Sequence, residues 1–199
     1  EVLSAYQWAY KNHITTLSPL VRAKPDWWVY RWHMAKMVVN YAINVLWREL
    51  PKQTPEQCYW WDDEEAWESE EMKEYAKKAC ALWIMGIDME NFEPMRYVTR
   101  SQFWTILSRI LWWEHYNVHH TKDSPYYVQH LNALKKSWIM TQIDNPEERI
   151  ELREWVWVML MRSEKYVNEE NRVRWVDNDK AEQVIGVVKK IKWRNIVSW

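Results

Sequence analysis

Glycine is nearly missing from this chain: there are two in 199 residues, where average usage would supply about fourteen. That scarcity excludes the glycine-rich phosphate loops, the dinucleotide fingerprint and the G-x-S-x-G nucleophile turn. It suits an all-helical chain, which needs glycine mainly at helix C-termini. Cysteine is equally scarce. Cys58 and Cys80 do not make a disulfide framework, and the simpler expectation is a cytoplasmic or other reducing compartment. No long apolar run exists, because the best candidates are broken by Asp88, Arg109 or Arg162, so no membrane span is expected. The first residues, EVLSAYQWAYKNHITT, lack the basic-then-apolar build of a signal peptide. They also lack an initiator Met, which reads as a processed or engineered start. Charge of either sign is in no excess: 27 Lys and Arg face 28 Asp and Glu, which argues against a nucleic-acid surface.

What the chain has in abundance is tryptophan. There are 18 Trp and 11 Tyr against two Phe. Propensity offers no folding reason for that bias. It fits an interaction subunit that meets a protein partner, or itself, through exposed Trp and Tyr. It also fits an engineered sequence. So many indoles cannot all be buried with their N–H groups satisfied, so Trp60, Trp61, Trp193 and Trp199 are expected at the surface or in contacts between chains.

Capping chemistry and hydrophobic spacing predict an all-α, single-domain bundle of six to seven helices over residues 1–199. The expected helices run from Leu3 to Thr15, from Trp27 to Leu50, from Asp62 towards Gly86 and from Thr99 to His120. Three more open at Ser124-Pro125, at Asn145-Pro146 and near Asp179. Thr99 with Gln102, and Thr54 with Gln57, have the form of capping boxes. In the second helix His33, Lys36, Asn40 and Asn44 share one narrow polar face. The acidic run from Asp62 to Glu74 reads as a solvated helix start favoured by the dipole. Leu131, Leu134 and Trp138 continue an apolar stripe from Tyr127. No internal repeat and no low-complexity linker is visible.

The helix Phe103–His120 carries the most suggestive chemistry. His115 and His119 stand one turn apart on one face, a spacing that can hold a metal ion between two imidazoles. Glu114 falls inside the apolar stripe of that helix, where a carboxylate needs a partner. His33 is the candidate third ligand. No Glu-x-x-His and no His-Asp dyad occurs, which leaves di-iron carboxylate and metal phosphohydrolase sites unsupported.

Arg31-Trp32-His33-Met34-Ala35, followed by an apolar helix and His115-x-x-x-His119, resembles the DinB-like metal-binding bundles over about residues 18–143. The nearest likeness is the helical iron-binding domain of the ergothioneine-pathway sulfoxide synthases. The resemblance implies His33, His115 and His119 as ligands of one divalent transition metal (Fe, Zn or Ni), with thiol-handling or other metal-dependent chemistry. In that reading Glu114 orients a ligand and Tyr116 acts as a donor near substrate. The chain departs from the family pattern at Tyr116, where Glu is usual, and at Lys36, where another His is common. The rival expectation is a non-catalytic helical scaffold or interaction subunit of a larger assembly.

Overall fold

The computed structural model describes residues 1–59, 67–87, 89–112, 125, 127–140 and 144–167. The protein is all-α. Its helices are α1 (Val2–Lys11), α2 (Leu20–Ala23), α3 (Arg31–Asn44), α4 (Glu70–Ala81), α5 (Arg100–Trp112) and α6 (Val128–Lys136). A short 3-10 turn spans Glu56–Cys58, and a last helix, α7, covers 153–167. Three isolated antiparallel bridges are the only β pairing among the described residues. By contacts, Glu1–Glu164 forms one compact unit and Lys165–Trp199 another. The first carries everything described below. The helix expected near Asp179 lies outside the described residues.

The expected absence of a repeat is corrected by the backbone, which repeats one unit three times. Each unit opens with a helix (α1, α4, α6). That helix ends on a residue of positive φ: His13 at 56°, Trp83 at 58°, Trp138 at 58°. The isoleucine that follows, Ile14, Ile84 or Ile139, is buried. In the first two units the hydrogen bonds are those of a Schellman stop, His13 to Tyr10 and Ile14 to Ala9, Trp83 to Cys80 and Ile84 to Ala79. A second positive-φ residue then precedes a proline: Lys24-Pro25, Glu93-Pro94, Asn145-Pro146. An extended stretch follows, and an arginine (Arg31, Arg100, Arg153) begins the second helix.

The three extended stretches meet in a ring. Val98 N–H donates to the Val29 carbonyl (2.9 Å), Val29 to Glu151 (3.2 Å) and Glu151 to Val98 (2.9 Å). The helix-opening arginines close an outer ring running the other way, with Arg31 N–H donating to Arg96, Arg100 to Arg149 and Arg153 to Trp27. The next residues bond to the proline carbonyls: Trp32 to Pro94, Ser101 to Pro146 and Glu154 to Pro25. Helix N-termini leave unpaired N–H groups; here each second helix is capped by the backbone of another unit.

Around this ring the second helices supply the core at matching positions. Met34, Phe103 and Val156 are fully buried, as are Ala35, Trp104 and Trp157, and Val38, Leu107 and Leu160. The spacing i, i+3, i+4, i+7 from each arginine is that of one apolar helix face. Trp104 and Trp157 leave their indole Nε1 atoms without an acceptor among the described residues. The core is thus filled by ring area at some polar cost.

The ring explains where helix limits differ from expectation. Residues 28 and 30 are bridged, so α3 begins at Arg31 rather than Trp27. It ends at Asn44, and Trp47 turns to positive φ. Asn145-Pro146 is a turn and not a helix start, because residues 150 and 152 are needed for bridging. The capping box at Thr99 is present: Thr99 N–H reaches Gln102 Oε1 (3.1 Å) and Gln102 N–H reaches Thr99 Oγ1 (3.4 Å). Thr54-Pro55 instead opens the 3-10 turn, with no side-chain cap. The acidic helix starts late, at Glu70, where Ser69 Oγ accepts from Met72 N–H (3.3 Å). Trp138 leaves the expected stripe of α6 because the helix stops at Lys136, and it is 80% exposed.

Cys58 and Cys80 form a disulfide, with Cα atoms 5.6 Å apart. Sequence spacing did not suggest the pairing. It arises because the 3-10 turn packs on α4. The bridge gives no support to a reducing compartment. No helix among the described residues is long and apolar enough to cross a membrane.

Candidate functional site

Of the expected metal ligands, only His33 is described; His115, His119, Glu114 and Tyr116 lie outside the described residues, as do Trp60, Trp61, Trp193 and Trp199. His33 sits in the first turn of α3. Its ring stacks on Trp32, with centroids 3.9 Å apart, and also lies near Tyr30. Beyond the end of α3, the Arg48 guanidinium donates to the Ile110 carbonyl of α5.

The polar face of α3 serves neither water alone nor a channel. Asn44 Nδ2 donates to Asn12 O (3.0 Å) and Asn40 Nδ2 to His13 O (2.9 Å), so both amides take up carbonyls at the end of α1. Lys36 Nζ pairs with Glu71 Oε1 of α4 at 2.7 Å. His33 differs from its neighbours on that face. Its Nδ1 is buried with no hydrogen-bond partner among the described residues, and it lines a groove of about 200 Å³ between α3, the segment Ile14–Leu17 and Arg153. Burial, and then the positive charges of Arg153 and Lys36, hold its pKa down to about 4, so the imidazole is neutral at pH 7.

Arg153 is the second unusual group in the groove. It is 7% exposed, and its Nη1 donates to Ala23 O (2.8 Å). No carboxylate lies within ion-pair distance of it among the described residues. Burial pushes its pKa below the usual arginine range.

The pseudo-threefold arrangement gives this groove two counterparts. One lies between Met140, Trp155, Val158, Met159 and Arg100, with Trp155 where His33 stands in α3. There Arg100 faces the Glu151 carboxylate. The other counterpart is the place of Arg31, which donates from Nε to Phe92 O (2.6 Å) and from Nη2 to Met89 Sδ (3.2 Å), its guanidinium lying over the Phe92 ring. Sequence reading singled out His33 and missed Arg153, because the pairing is across 120 residues of chain and only the ring brings the two together. The signal that could have found it is the recurring Pro…Arg spacing in KPDWWVYR, EPMRYVTR and NPEERIELR.

The surface shows the other feature of note. Trp47 is 84% and Trp138 80% exposed, and both hold positive φ. Trp27 and Trp28 are half exposed.

No group of three His, Cys, Asp or Glu side chains that could hold a metal exists among the described residues. No protein-family model and no curated protein matches the chain. The DinB-like resemblance is therefore corrected: its short motifs are not accompanied by family membership, and Arg31-Trp32-His33 opens a helix whose arginine and flanking backbone serve the threefold ring.

Proposed function

We propose that this protein is a non-catalytic helical scaffold that associates through tryptophans displayed at helix ends, a second copy of the chain being the partner. The observation that carries the reading is the pair Trp47 and Trp138, each almost fully exposed in a left-handed backbone position. A bulky residue there costs roughly 1–2 kcal/mol relative to glycine. The helix stops fix the backbone, but a solvent-facing tryptophan is not needed to make one, and exposed indoles are the side chains that dominate binding energy between proteins. The excess of Trp over Phe supports the same reading, since an indole offers both an apolar face and an N–H donor.

The test is sedimentation velocity across a wide concentration range, on the wild-type chain and on a Trp47→Gly/Trp138→Gly variant. The wild type self-associates reversibly, and the variant is monomeric while melting a few degrees higher. A strictly monomeric wild type, or a variant that associates equally well, removes the reading.

A further inference from the structure

Three arginines occupy equivalent places at the starts of α3, α5 and α7, and they are treated unequally. Arg31 is covered by Phe92 and Met89. Arg100 faces a buried carboxylate. Arg153 is nearly as buried as they are, yet among the described residues its guanidinium makes one hydrogen bond, to a backbone carbonyl. A buried cation without a counter-charge costs several kcal/mol. Arg100 has its carboxylate and Arg31 is covered by a carbonyl, a sulfur and a ring, whereas Arg153 lines an open groove, a place shaped for an external anion.

The groove beside Arg153 says which anion. We infer that the groove between α3, the Ile14–Leu17 segment and Arg153 binds a carboxylate carried on a small apolar body. The guanidinium offers a planar fork that matches the two oxygens of a carboxylate. His33 Nδ1, buried and without a partner among the described residues, lines the same groove and donates to the ligand when it carries the proton. Thr15, 8% exposed, adds a hydroxyl to the wall. Ile14, Leu17, Met37 and Trp32 supply the apolar part of the wall, with Thr16 and Lys36 beside them. A phosphate dianion fits less well, because the nearest further cation, Lys36, is already engaged by Glu71 at 2.7 Å. A groove of about 200 Å³ has room for a head group and one ring, not for a nucleotide. The site stands independently of the association reading, which concerns the helix-end tryptophans.

The same head group exists on a free aromatic acid and at the C-terminus of a peptide chain. Calorimetric titration of the full chain separates these. Phenylacetate is compared with phenylacetamide, and a short peptide ending in a free Phe carboxylate with its amidated form. Saturable one-to-one binding of the acid or of the free-ended peptide is expected, at least about tenfold tighter than the matching amide. Which of the two binds identifies the source of the carboxylate. Arg153→Gln weakens binding more than about tenfold, and His33→Leu several-fold. Equal binding of acid and amide, or no binding of either carboxylate at millimolar concentration, overturns the proposal. So does unchanged affinity in Arg153→Gln. Should that variant fail to fold, His33→Leu decides alone, and an unaltered affinity there overturns the site.

Discussion

Arg100 and Glu151 face each other inside the protein, Nε to Oε2 at 3.3 Å, with the carboxylate side chain fully buried. Glu151 occupies the place that Val29 and Val98 hold in the other two stretches of the ring. Burial pushes its carboxyl upward, and the Arg100 charge opposes that. The contacts, at 3.3 and 3.4 Å, are longer than a good charged hydrogen bond. The pair is held where an apolar residue would pack.

Breaking the pair should therefore cost more than removing it. Glu151→Val leaves Arg100 buried and alone, and is expected to destabilise by about 3 kcal/mol. The double variant Arg100→Met/Glu151→Val restores an apolar ring and should lie within about 1 kcal/mol of the wild type. Urea unfolding of Glu151→Val, Arg100→Met and the double variant gives the cycle. A double variant well below the wild type would mean that the pair itself stabilises the ring, and one equal to the sum of the singles would mean that the two residues are not coupled.

A buried histidine should make the protein acid-sensitive. His130, 3% exposed, bonds through Nδ1 to Ser108 Oγ at 2.9 Å. Burial, and then the charge of Arg109, lowers its pKa to about 4. Between the ordinary value of 6.5 and about 4 the unfolded chain binds a proton that the folded chain refuses. Stability is thus fully present above 6.5, falls as pH drops through that window, and levels off below 4. The loss is at most about 3 kcal/mol for this residue. Melting temperature against pH should show that slope, and His130→Gln should flatten it. His33, also lowered to about 4, adds a second contribution of the same sign, so the slope is expected to fall partly and not wholly in the single variant.

The helical class was legible from the sequence because hydrophobic spacing and caps such as Thr99 with Gln102 act locally. The threefold ring was not. Its arginines are unequally spaced, and the third unit carries one more residue between Asn145-Pro146 and Arg153 than its counterparts do. Side chains at equivalent places differ as widely as His33, Gln102 and Trp155. Beyond the recurring proline and arginine, what repeats is backbone: two positive-φ residues and a short extended stretch, which have no strong side-chain signature when glycine is avoided. The polar face of α3 was visible, but its purpose was not. Asn40 and Asn44 bond to carbonyls some thirty residues earlier in the chain, which no periodicity can report. The same holds for the groove, since Arg153 reaches His33 only through the ring.

Reduction of the disulfide should weaken the α4 region without unfolding the ring. The bridge joins residues 22 apart, and closing a loop of that length contributes roughly 3 kcal/mol by restricting the unfolded chain. Cys58 and Cys80 are both buried, so a Cys58→Ala/Cys80→Ala variant loses the packing of two sulfur atoms as well as the bridge. Its melting temperature should fall by several degrees and become insensitive to reductant. A wild-type melting temperature unchanged by full reduction, verified by thiol counting, would show that the bridge adds nothing.

Adjacent residues at the helix stops should respond to substitution with opposite signs. His13 holds φ at 56° in the C′ place of α1, where a side chain is disfavoured. His13→Gly relieves that cost, and about 1 kcal/mol of added stability is expected. Its backbone carbonyl still accepts from Asn40, so the link to α3 survives. The next residue behaves otherwise. Ile14 is 1% exposed and closes the Schellman turn through its N–H to Ala9 O at 2.8 Å. Ile14→Ala keeps that bond but leaves a cavity, at a cost of roughly 2–5 kcal/mol. If the threefold reading is right, Ile84→Ala and Ile139→Ala, at 0% and 1% exposure, fall in the same range. Chemical denaturation of these four variants is the measurement. A His13→Gly variant less stable than wild type, or isoleucine variants that differ widely from one another, would show that the three stops are alike in backbone but not in energy.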